Sequence, residues 1–67
     1  MAEKIATYAF TEKENYEKAR DKIISELGNY SWDSGTTSDY WLLHILSDCP
    51  DPGLAAKICV GYLGKPY

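Results

Sequence analysis

Residues 40–46 read YWLLHIL, apolar or aromatic throughout apart from one histidine. In a chain of 67 residues this run constrains the fold more than any other feature. A domain of this size buries only about 60% of the surface its unfolded chain exposes, so two apolar faces are hard to cover at once. As a strand, the run points Trp41, Leu43 and Ile45 one way and Tyr40, Leu42, His44 and Leu46 the other. As a helix, with Ser38 or Asp39 as N-cap, it would be apolar around most of its girth. Its shortness and the turn-forming residues before it favour a strand over residues 39–46.

The flanking segments set the architecture. Residues 4–10, KIATYAF, are rich in residues that suit a pleated sheet and carry apolar groups on both faces, which predicts an interior strand. Thr11 and Glu14 have the spacing of a capping box, in which the Thr hydroxyl accepts from the N3 amide and Glu14 accepts from the Thr11 amide. Behind them Tyr16, Ala19, Arg20, Ile23, Ile24 and Leu27 recur at helical spacing, and Gly28 is placed to close the helix in a left-handed C-cap. Residues 29–32 read as a short second strand, and DSGTTS over 33–38 as the turn of a hairpin. Asp51 and Pro52 supply an N-cap and an N1 proline for a second helix. Its apolar side is Leu54, Ala55, Ile58, Cys59 and Tyr62, and Gly64 is expected to stop it. Residues 65–67 look too short for another strand.

The expectation is therefore a single α+β domain over residues 1–67, ordered β-α-β-β-α. It is an incomplete ferredoxin-like arrangement in which a three-stranded antiparallel sheet carries two helices on one face. The helices can cover only one set of side chains from residues 39–46. The other set is left exposed or paired, and an exposed apolar patch of that kind marks an interface.

The layout resembles the small ferredoxin-like proteins of the CRISPR-adaptation and toxin–antitoxin type. The resemblance rests on a Thr-Tyr strand, a helix ending Leu27-Gly28, Trp32, and the strand opening Trp41-Leu42-Leu43. It implies a ferredoxin-like fold and a dimer, and some members cut RNA or DNA. Nuclease members carry an Asp at the end of the first strand. Here Phe10 and Thr11 stand there, followed by Glu12, so metal-dependent nuclease activity is not expected.

Charge and chemistry narrow the function further. The net charge is −3, with 7 basic residues against 10 acidic. No cluster of bases is dense enough to hold a phosphate backbone, so nucleic acid is not an expected partner. The acids crowd into residues 1–39, and the remainder balances Asp48 and Asp51 against Lys57 and Lys65. His44, Cys49 and Cys59 lack the spacing of a zinc site, so no metal or cofactor is expected. Cys59 reads as a small core residue. A Cys49–His44 nucleophile pair lacks the rest of a catalytic constellation. The mixed charges along the first helix read as a solvated face. No apolar run is long enough to span a membrane, and residues 1–10 lack a leader's apolar core, so the expected location is cytoplasmic. Trp and Tyr concentrate in binding hot spots. The residues expected to bind a partner are Trp32, Tyr40, Trp41, Leu42, His44 and Leu46. The expected function is a homodimeric, non-enzymatic protein–protein interaction module of bacterial or phage origin that regulates or inhibits an enzyme. A nucleic-acid-binding or RNA-cleaving ferredoxin-like protein is the alternative.

Overall fold

The computed structural model describes residues 3–67; Met1 and Ala2, part of the segment read for a leader, lie outside the described residues. Strand β1 covers Lys4–Phe10, helix α1 Lys13–Leu27, strand β2 Trp32–Thr36 and strand β3 Trp41–Leu46. Helix α2 covers Pro52–Gly61 and strand β4 Lys65–Pro66. The fold is α+β, with a four-stranded antiparallel sheet in the order β2-β3-β1-β4. Residues 41–46 form a strand, so the helical alternative for that run is set aside.

Both helices pack on one face of the sheet. Tyr16, Ala19, Ile23 and Leu27 of α1 and Ala55, Ile58 and Cys59 of α2 form one core with Phe10, Leu43 and Ile45. The side chains that alternate with these along β1 and β3 point away from both helices. On α1, Arg20 and Ile24 are only partly buried, so the buried stripe is narrower than the spacing predicts.

The sheet has four strands where three were expected, because the end of α2 turns more tightly than a glycine stop implies. The helix ends at Gly61, three residues before Gly64. Leu63 takes the left-handed conformation, φ 68°. Its amide donates to Val60 O at 3.0 Å and the Gly64 amide donates to Cys59 O at 2.8 Å. That pair of bonds is a Schellman closure with leucine in the usual glycine place. Gly64 is required for space: a Cβ there would lie 2.7 Å from both Cys59 O and Phe10 Cζ. The reversal lays Lys65 and Pro66 beside β1, and the Tyr67 amide donates to Thr7 O at 3.0 Å.

Three other expectations need correction. The capping box does not form: Glu12 is the N-cap of α1, and no side chain bonds there. Phe10, fully buried, meets the Tyr16 ring edge-on at 6.1 Å, and this packing sets the angle at which the chain enters the helix. The hairpin also lies further along than residues 29–38 suggest. Asn29–Ser31 is a 3-10 turn, held by the Ser31 hydroxyl, which donates to Leu27 O at 2.8 Å. The expected turn residues Asp33, Ser34, Gly35 and Thr36 instead form β2. The reversal sits at Ser38 and Asp39, where Thr37 Oγ1 accepts from the Asp39 and Tyr40 amides and the Thr37 amide donates to Tyr40 O. Gly28 does close α1, but at φ 93° and ψ 155°, outside the left-handed helical region.

Candidate binding face

Strand register defines the helix-free face. Thr7 and Ala9 of β1 stand opposite His44 and Leu42 of β3, and Lys4 stands opposite Leu46. On the far side of β3, Asp33 pairs with His44 and Gly35 with Leu42. Lys65 of β4 pairs with Ala9. Directly opposed residues of an antiparallel pair share a face, so these side chains form one surface. Tyr40 and Tyr67 complete it, their rings in edge-to-face contact at 6.2 Å.

This surface is not simply bare. Leu42 is only 7% exposed and Ala9 only 6%, although no helix lies over Leu42. Tyr40 belongs to the β3 side of β1 and Tyr67 to the β4 side, so their contact crosses β1 where Ala9 is the side chain between them. A methyl group is small enough to let the rings meet. The sheet face thus supplies part of its own cover from two tyrosines.

His44 is held in place from two directions. Its Nδ1 and Thr7 Oγ1 share a hydrogen bond at 2.8 Å. Its other ring nitrogen sits close over Gly35, where an added Cβ would be 2.9 Å from Nε2. Desolvation, reinforced by the Lys4 ammonium and partly opposed by the Asp33 carboxylate, holds the His44 pKa below the usual histidine value. The ring is therefore biased towards its neutral form, in which one nitrogen donates and the other accepts.

The sequence-selected residues divide between the two faces. Tyr40, Leu42, His44 and Leu46 belong to the helix-free face. Trp32 and Trp41 pack against the helix-side core, and Trp32 Nε1 donates to Asn29 Oδ1 at 3.0 Å. Trp32 is opposite Ile45, a core residue, which fixes its side of the sheet. Tyr67, Thr7 and Gly35 belong with the face but were not selected. Thr7 was readable from the alternation along β1; Tyr67 depends on a strand of two residues that no periodicity could reveal.

Other candidate chemistry is dispersed. Cys49 is buried in the helix-side core, whereas His44 lies on the opposite face, so the fold does not bring them together as a pair. Burial pushes the Cys59 thiol up to about 12, which leaves it protonated and unreactive at neutral pH. Among the described residues no three of His, Cys, Asp and Glu gather as a potential metal site. On α1, Glu14 pairs with Lys18 at 3.1 Å and Glu26 with Lys22 at 3.4 Å, all on exposed side chains. No helix among the described residues is long and apolar enough to cross a membrane. No family model, curated protein or solved structure matches the chain.

Proposed function

We propose that this chain is a small non-enzymatic protein–protein interaction module, a regulator or inhibitor of an enzyme, that dimerises through the helix-free face of its sheet. The observation that carries the reading is the placement of both helices on the other face, with Tyr40, Leu42, His44, Leu46 and Tyr67 left without a second layer. The β-α-β-β-α-β order and the strand order β2-β3-β1-β4 support a ferredoxin-like assignment.

A second copy is the occupant that the charge pattern favours. Lys65 lies on the β4 edge of this face and Asp33 on the β2 edge. A two-fold axis parallel to the strands brings the β4 edge of one copy over the β2 edge of the other. Lysine then approaches aspartate twice, once at each edge, as an isologous interface requires. Sedimentation velocity on wild type and Tyr40→Lys tests this reading. The expected result is a dimer for wild type and a monomer for Tyr40→Lys, with both proteins melting cooperatively. A wild type that remains monomeric at every concentration contradicts the dimer.

A second reading is single-stranded nucleic-acid binding, favoured by the exposed Tyr40 and Tyr67 rings and the neighbouring Lys4 and Lys65. It predicts retention of single-stranded RNA that weakens steeply as salt rises. Absence of retention at low salt removes it.

A further inference from the structure

We propose that Asp33 guards the outer edge of β2, blocking edge-to-edge pairing of two copies and leaving association to other surfaces. The inference goes beyond the sheet-face reading and stands without it.

β2 is an outer strand of the sheet, paired with β3 on one side only. The Thr37 amide donates to Tyr40 O across the hairpin. Alternation along the antiparallel pair then turns the backbone groups of Asp33 and Gly35 towards β3 and those of Trp32, Ser34 and Thr36 outwards. Ser34 and Thr36 are exposed, so neither helix covers this edge. A row of outward amides and carbonyls on an edge strand is a template for another strand.

The row is also self-complementary. A two-fold axis through Ser34, perpendicular to the sheet, would pair Ser34 with Ser34 and Trp32 with Thr36 of a second copy. Every outward amide would then meet a carbonyl, and the two sheets would join into one. Asp33 opposes that pairing in two ways. Its Oδ1 already accepts from the Ser34 amide at 2.8 Å, which occupies the central donor of the row. In the same register Asp33 would stand opposite Gly35 of the second copy. The two Asp33 residues would then lie diagonally across the axis, about 7–8 Å apart at the backbone, where their like charges repel. The cap uses Oδ1 alone, so Oδ2 is left for Lys65 of a copy that approaches over the sheet face.

The test uses Tyr40→Lys as the parent, so that association through the sheet face does not obscure the edge. Asp33→Thr removes both cap and charge, and threonine suits an exposed strand position better than aspartate. In sedimentation velocity it is expected to tighten self-association of the parent on the order of a hundredfold, because each copy no longer gives up a hydrogen bond to a charged group. Amide hydrogen exchange should then show new protection at Trp32, Ser34 and Thr36. Adding Ser34→Pro, which removes the central amide and is tolerated on an edge strand, should restore the monomer. An Asp33→Thr variant that melts cooperatively and associates no more than its parent overturns the guard. Association without new protection of those amides places the contact elsewhere and also overturns it. A parent that itself associates contradicts the sheet-face reading, and the guard is then decided by whether Asp33→Thr tightens that association. Wild type gives a further check: its capped Ser34 amide should exchange more slowly than the uncapped Thr36 amide, and equal rates overturn the cap.

Discussion

At the scale of single residues, His44 and Leu63 carry the least ordinary environments. The lowered His44 pKa means that, between that value and the unfolded value near 6.5, the unfolded chain binds more protons than the folded one. The His44 contribution is therefore complete above the unfolded pKa. It is lost as pH falls through the window between the two values, and below the folded pKa no further loss occurs. Urea unfolding across this window should show that slope in wild type and lose it in His44→Gln. Gly35→Ala places a methyl group against Nε2, adds to the desolvation of the ring and should lower the His44 pKa further, read directly by proton NMR titration. Leu63, 73% exposed, holds a left-handed conformation that costs a leucine about 1 kcal/mol or more. Leu63→Gly relieves that strain against glycine's greater chain entropy and should stabilise by about 0.5–1 kcal/mol in urea. Gly64→Ala should do the opposite, destabilising by about 1–3 kcal/mol, because its Cβ meets backbone and a buried ring.

At the scale of elements, the segments legible in the sequence are those whose own side chains determine them. The alternation in KIATYAF, the helical stripe from Tyr16 to Leu27 and the Asp51-Pro52 start need no knowledge of the rest of the chain. Asp51 Oδ1 accepts from the Leu54 amide at 3.1 Å, as an N-cap should. The failures have the opposite character. Thr11 has a capping sequence but is overruled by the tertiary anchor of Phe10 on Tyr16. The DSGT segment has turn composition, yet it pairs along β3 because the strong strand beside it can take a weak partner. β4 exists only because Leu63 and Gly64 reverse the chain against β1. On the candidate face, Tyr40, Leu42, His44 and Leu46 followed from alternation, whereas Trp32 and Trp41 were grouped with them by residue type alone. The contrast in capping is measurable. Asp51→Ala should cost about 1 kcal/mol, and Thr11→Ala should stay within about 0.5 kcal/mol, by chemical denaturation.

At the scale of the whole molecule, the chain completes its core without a partner. Its accessible surface of 4185 Å² is close to the roughly 4300 Å² that the size scaling gives for a folded monomer of this mass. Leu43, fully buried between the sheet and both helices, belongs to that core, and Leu43→Ala should cost about 2–5 kcal/mol. The proposed self-association would therefore be an added property of the sheet face, and the folded monomer should persist when that face is disrupted. Amide NMR spectra over a dilution series test this most directly, because they locate the contact while monitoring the fold. Concentration-dependent shifts are expected in β1, β3 and β4 and at Tyr40, with the outer surface of α1 unchanged. Shifts centred on α1, or none at any concentration, would contradict a sheet-face dimer.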